Sequence, residues 1–301
     1  MKYTLLLLAF LLAGCLGTTS PTPLPTAVPP TDTPSTLPEP DPTDAPTEAS
    51  EPTAEPTVAP TTPPEPTAEP TATDGAPYPA GGGGDAPYPA PGPVSFSGKN
   101  NLTIFGTLYL PADAPKPWPG VLLLHMLGGG KGEWEEPATR LAEAGYAVLA
   151  IDMRGHGETN DNINWTDAGT DHQQAINYLA GLGDVDPDRI GIMGGSIGAN
   201  MALRAGATRE GIRTVVLLSP GLDYAGVTTE SALSTYGDRP IMIVASSEDT
   251  YAAESSETLA DQAQGEVNLV MYDGAGHGTR MFPREEGLIT SIIEWFDTHM
   301  N

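Results

Sequence analysis

Ser196 stands in the run Gly194, Gly195, Ser196, Ile197, Gly198, a G-x-S-x-G pattern, and an acid and a histidine follow it in chain order. Such a set can carry out acyl transfer. A serine hydroxyl is a weak nucleophile at neutral pH. It needs a base to take its proton and a carboxylate to orient that base and stabilise its cation. Asp249 closes the run Ser246, Ser247, Glu248, Asp249, and His277 stands in Asp273, Gly274, Ala275, Gly276, His277, Gly278. His125, His156, His172 and His299 compete for the base role. His299 falls in a terminal helical segment and His172 in a helix expected to cross the sheet, so both are read as surface residues. His125 and His156 fall in loops and are read as structural hydrogen-bonders. His277 is therefore the expected base. Asp249 is the expected acid, with Glu248 beside it and Asp223, one strand earlier, as its rival.

Chemistry of this kind needs a scaffold that brings distant residues to one edge. Between residues 102 and 300, β-branched and apolar runs alternate with segments of helical period, the pattern of a parallel sheet with crossover helices. Strands are expected over 102–110, 121–125, 146–151, 190–193, 214–218, 241–245 and 267–272. Helices are expected over 134–142, 171–179, 197–205 and 288–296, with Gly145 ending the first. Ser196 then lies on a strand-to-helix turn, where small flanking residues are required and helix N–H groups face developing negative charge. Asp249 and His277 each follow a strand, at the edge where open α/β sheets gather ligands.

The N-terminal third has a different character. Lys2, an apolar run over 5–13 and Cys15 read as an export signal. Leu12, Ala13, Gly14 and Cys15 resemble the lipobox of bacterial lipoproteins, which implies cleavage before Cys15, its acylation and anchoring to a membrane. Cys15 is the only cysteine, so the chain has no internal disulfide. Of 32 prolines, 23 lie between Pro21 and Pro93. Residues 16–93 are thus read as a disordered Pro/Thr/Glu-rich linker that lacks the apolar side chains to offset chain entropy, and residues 94–301 as the catalytic domain. The net charge of −26 argues against nucleic-acid and polyanionic partners. The histidines show no metal-ligand spacing, and no dinucleotide fingerprint follows the early strands, so no cofactor and no metal are expected.

The segments GVLLLHMLGGG at Gly120, AVLAIDMRGHGET at Ala147, IGIMGGSIGA at Ile190, VASSED at Val244 and GAGHG at Gly274 together resemble the α/β-hydrolase superfamily, in its dienelactone-hydrolase-like and serine-esterase branches. The resemblance implies a mostly parallel twisted sheet with helices on both faces. It also implies an oxyanion hole formed by the Ile197 amide and one from the loop after the third strand, Leu127, with Met126 as second candidate. Residues 152–157 are implied to be scaffold. Dienelactone hydrolases proper use a cysteine nucleophile, so dienelactone cleavage is not implied. The expected activity is a carboxylesterase acting on small to medium acyl esters through an acyl-enzyme, in an extracytoplasmic, lipid-anchored protein. A serine peptidase of the prolyl-oligopeptidase type and a non-catalytic binding module on the same fold are the rival readings. The short polar stretch 219–240, where lids commonly enter, predicts an open site.

Overall fold

The computed structural model describes residues 90–301. Cys15, the expected signal peptide and all but the end of the expected linker lie outside the described residues.

The sheet begins with an antiparallel hairpin, β1 (Gly92–Ser97) and β2 (Thr103–Tyr109), with Val94 opposite Gly106. β1 opens two residues inside the stretch read as linker. Its Pro93 is tolerated because β1 lies at the sheet edge, where one N–H is not needed for pairing. β3 (Trp118–Leu124) follows, buried at every position. Then come α1 (Glu135–Glu143), β4 (Ala147–Ile151) and α2 (Trp165–Ala180). α2 starts six residues before the predicted span. The Asn164 side chain caps it, accepting from the Thr166 and Asp167 amides at 3.1 Å each.

β5 (Val185–Gly195) leads into α3 (Ile197–Ala207) and β6 (Ile212–Leu218). A small hairpin, β7 (Asp223–Tyr224) and β8 (Val227–Thr228), precedes α4 (Glu230–Tyr236). Its two-residue turn, Ala225 and Gly226, has φ of 51° and 80°, the left-handed pair that matches strand twist. The chain closes through β9 (Ile241–Ser246), α5 (Thr250–Gln262), β10 (Val267–Tyr272) and α6 (Leu288–Met300).

The eight-stranded order is β1-β2-β4-β3-β5-β6-β9-β10, and every pairing from β4 to β10 is parallel. This is the α/β-hydrolase arrangement predicted. Alternation along each central strand feeds two cores. Leu122, Leu149, Ile192, Leu217 and Ile243 meet α2 and α3 on one face. Val121, Leu123, Val148, Met193, Val216 and Met242 meet α1 and α6 on the other. Burial on both faces explains why these strands read as unbroken apolar runs.

Two histidine readings are corrected. His172 is completely buried, because the helical period puts it on the same stripe of α2 as Ala168, Ala175, Ile176 and Leu179. Burial lowers its pKa to about 3, so the ring is neutral. His299 is not a free surface group either. Its ring lies 3.9 Å from that of Trp295, and its Nδ1 bonds the Trp295 carbonyl at 2.8 Å.

Candidate active site

Ser196 occupies the turn between β5 and α3 with φ 55° and ψ −124°, a backbone region that costs on the order of 1–3 kcal/mol and persists only where surroundings enforce it. The surroundings here are backbone. A Cβ at Gly194 would collide with the Gly198 carbonyl, and a Cβ at Gly198 with the carbonyls of Leu124 and His125. Ser196 also donates its amide to the Leu218 carbonyl at 2.8 Å. The glycines of the pattern thus let β5, β3 and α3 close around the turn, leaving the serine 8% exposed at the start of a helix.

Asp249 follows β9 at the N-cap of α5, and its Oδ2 lies 2.5 Å from His277 Nδ1. The loop carrying His277 rests on the serine turn: a Cβ placed on Gly278 would lie 3.6 Å from the Ser196 amide nitrogen. Gly278 donates to Ser219 Oγ at 2.9 Å, which ties this loop to the end of β6. Asp223 is elsewhere. It shapes the β7–β8 turn, with Oδ1 accepting from the Gly226 amide at 2.7 Å, and the structure brings Asp249 rather than Asp223 to the histidine.

Glu248, the other acid considered from sequence, has a separate position. Its carboxylate accepts from the Gly274 amide at 2.8 Å, the Gly276 amide at 2.7 Å and the Ser246 hydroxyl, spanning the loop just before His277. The Ser246 hydroxyl and these amides hold its pKa down at about 2. The Ser246 hydroxyl meanwhile accepts from Ala275 at 2.8 Å, and Ser247 donates to Asp273 at 2.7 Å. The whole Ser-Ser-Glu-Asp run therefore organises the histidine loop, and only its last member reaches the ring.

Of the predicted oxyanion donors, Ile197 is the first residue of α3, and its amide has no acceptor among the described residues. The Leu127 amide is equally unengaged, in a turn closed by Gly129 N–H to the Met126 carbonyl at 3.0 Å. The Met126 amide donates instead to Glu133 Oε2 at 3.2 Å. That bond occupies the alternative donor.

Behind this loop sits His125, buried, with Nδ1 2.7 Å from the Met126 carbonyl and Nε2 accepting from the Met153 amide at 2.9 Å. Burial lowers its pKa to about 4, which keeps it neutral and fixes it as a brace between the ends of β3 and β4. Residues 152–157 are scaffold, as expected. Asp152 accepts from the Lys131 amide at 2.7 Å and the Glu158 amide at 2.9 Å, and buried Arg154 pairs with Asp171 at 2.8 Å.

Tyr224 is the site residue missed from sequence. Its hydroxyl donates to the Ser219 carbonyl at 3.3 Å. Burial and the Asp249 charge raise its pKa, and the Ser196 hydroxyl offsets part of that rise. Its ring stands edge-on to His277 at 6.3 Å. No sequence signal pointed there, because the residue reaches the site through a hairpin of two-residue strands too short to show a period.

A cleft of about 640 Å³ bounded by Glu133, Glu136, Thr279, Phe282 and Glu286 lies beside the Met126 loop and includes none of Ser196, Asp249 and His277. No group of three or more metal-ligating side chains occurs among the described residues.

Residues 104–286, well over half of the chain, match the dienelactone hydrolase family. The chain belongs to that family. It is a hydrolase, and its relatives span several named activities. An uncharacterized protein of Mycobacterium tuberculosis is 28% identical over 192 residues, 57% of this chain and 67% of the relative. Acyl-coenzyme A thioesterase 1 of Mus musculus is 31% identical over 126 residues, 40% of this chain but only 28% of the thioesterase. Among solved structures, dienelactone hydrolase from Anabaena variabilis superposes with a TM-score of 0.57 at 24% identity, covering 70% of this chain and 99% of the other. The carboxylesterase EstE1, cloned from a metagenomic library, does so with 0.59 at 19%, covering 71% and 90%. At these identities the two structures speak for the fold.

Proposed function

We propose that this family member is a serine carboxylesterase that works through an acyl-enzyme, with Ser196 as nucleophile, His277 as base and Asp249 as the orienting acid. The observation that carries the reading is the 2.5 Å contact between Asp249 and His277 in a loop seated on the strained Ser196 turn. Ser196 attacks the ester carbonyl while His277 takes its proton, and His277 then returns that proton to the departing alkoxide. Water, deprotonated by the same ring, releases the acid and restores the serine. The amides of Ile197 and Leu127 receive the oxyanion, each worth about 2.7–4 kcal/mol of transition-state stabilisation. Serine at the nucleophile position separates this chain from dienelactone hydrolases that use cysteine.

Small to medium acyl esters are the proposed substrates. The connection over 219–240 builds only the β7–β8 hairpin and the seven-residue α4, which supports an open entrance without a lid domain. The lipobox-like residues at Cys15 and the proline-rich stretch that follows support a catalytic domain held outside the cytoplasm by a lipid anchor. No helix among the described residues is long and apolar enough to cross a membrane.

A fluorophosphonate probe, which reacts with activated serines, tests the chemistry. Wild-type protein labelled at Ser196, with hydrolysis of 4-nitrophenyl esters abolished in Ser196→Ala, is the expected result. Label on another residue, or wild-type turnover in Ser196→Ala, overturns the assignment. Paired ester and peptide substrates separate an esterase from a peptidase.

A further inference from the structure

The loop after β3 must present the Leu127 amide while the side chain of that residue stands in solvent, 56% exposed. That side chain gives the loop no anchor, so the restraint falls on its neighbours. The Leu127 N–H belongs to the peptide group whose carbonyl is that of Met126. This carbonyl accepts from the Gly129 amide at 3.0 Å and from His125 Nδ1 at 2.7 Å. His125 Nε2 accepts from the Met153 amide, so Nδ1 carries the ring proton. Gly128 takes φ 74° within the turn, as the third residue of a type II turn requires.

Glu133 fills the inside of this turn. Its Oε2 accepts from the Met126 amide at 3.2 Å, and its Oε1 lies so close over Gly129 that a Cβ there would be 2.0 Å away. One carboxylate thus spans both ends of the turn. Its base is firm: the Glu133 amide donates to the Gly130 carbonyl at 3.0 Å, and the next residue, Trp134, is fully buried with its ring edge-on to Phe282 at 6.1 Å. The Met126 side chain carries the restraint onward. A Cβ on Gly195 would lie 3.2 Å from its Cγ, and one on Gly278 would lie 2.5 Å from its Sδ, so the thioether is packed between the residues adjoining Ser196 and His277.

We propose that Glu133 is a positioning residue of the oxyanion hole: seated in the turn after β3, its carboxylate holds the Met126 amide and the Gly129 backbone so that the Leu127 N–H stays aimed at the developing oxyanion. The inference rests on the serine-hydrolase reading above. Glu133 acts through the loop, touches no reacting atom, and neither gains nor loses a proton in the reaction.

Three variants of the full chain test it. Glu133→Ala is expected to lower kcat for a 4-nitrophenyl ester by about 10- to 100-fold, part of the 100- to 1,000-fold that loss of a whole donor costs, with KM within about twofold of wild type. The inhibition constant of a trifluoromethyl ketone, whose hemiketal oxyanion occupies the same hole, rises by the same factor. Glu133→Gln keeps an acceptor oxygen for the Met126 amide, and its kcat falls no more than about threefold. Gly129→Ala puts a methyl group where the carboxylate sits, so it reproduces the loss with Glu133 intact, and adding it to Glu133→Ala costs nothing further. Wild-type kcat and inhibition in Glu133→Ala overturn the inference. So does a loss in Glu133→Gln as large as in Glu133→Ala, which would make the charge rather than the acceptor responsible, and so do additive losses in the double variant. If wild-type protein is labelled by the fluorophosphonate at Ser196 and these variants are unaffected, only this inference fails; if wild-type protein is not labelled, the serine-hydrolase reading fails and takes it down too.

Discussion

The turn that carries Ser196 and the loop that carries His277 are held by opposite means. Around Ser196 the restraint is close packing of backbone: glycines at 194 and 198 face carbonyls of α3 and β3 with no room for a methyl group. Around His277 the restraint is polar: the exposed Glu248 carboxylate and the hydroxyls of Ser246 and Ser219 accept from the amides of a glycine-rich loop. The first arrangement is sensitive to volume and the second to charge. In the proposed mechanism Ser196 gains from a fixed, strained geometry, whereas His277, which must turn between serine and leaving group, tolerates a softer mounting.

The comparison breaks most visibly at the bond linking the loop to the acid. Asp249→Asn leaves the shape of the loop but removes the charge facing the imidazolium, and kcat for ester hydrolysis is expected to fall by about four orders of magnitude. Circular dichroism and Tm should be near wild type. If Asp223→Asn causes that loss instead, the acid has been misassigned.

Volume is the test of the serine turn. Gly198→Ala forces a Cβ against backbone that cannot swing away, and a destabilisation of about 3 kcal/mol or more is expected by denaturant unfolding, with activity lost alongside. A fully stable Gly198→Ala protein would show that the turn is held by something other than close packing.

Charge is the test of the histidine loop, and acid is its natural probe. The folded-state pKa of Glu248 is depressed to about 2, so its contribution is present above the ordinary carboxylate range near 4.5 and is lost as pH falls from there through about 2. Glu248→Gln should therefore flatten the decline of Tm across that window and reduce kcat by about tenfold at neutral pH, as a mispositioned base would. Acid sensitivity that begins higher has a different source. The pKa values of His125 and His172 are lowered from about 6.5 to about 4 and about 3, so the unfolded chain binds protons first and stability declines from about pH 6.5 downward. That upper part of the decline should survive in Glu248→Gln. The smallest effect belongs to Asp223→Asn. Its side chain closes only the exposed hairpin turn, and kcat should change by less than about twofold, the scale of a surface hydrogen bond.

Local spacing alone determined a great deal. The G-x-S-x-G turn, the acid after one strand and the histidine after the next are patterns of neighbouring residues, and strands buried on both faces leave continuous apolar runs that need no partner to be recognised. α5 escaped prediction because its buried side, Ala252, Ser255, Ser256 and Leu259, is small and half polar, too weak to mark a helical face. His172 was misplaced for a related reason: a polar residue on an apolar stripe reads as surface until the helix is packed. Three matters were decided only by the tertiary structure. One was the choice among Glu248, Asp249 and Asp223 at the histidine; another was the engagement of the Met126 amide by Glu133. The third was the arrival of Tyr224 edge-on to His277. Each depends on distances between segments far apart in the chain. Residue type and spacing leave those distances open until the sheet twists and the loops close over its edge.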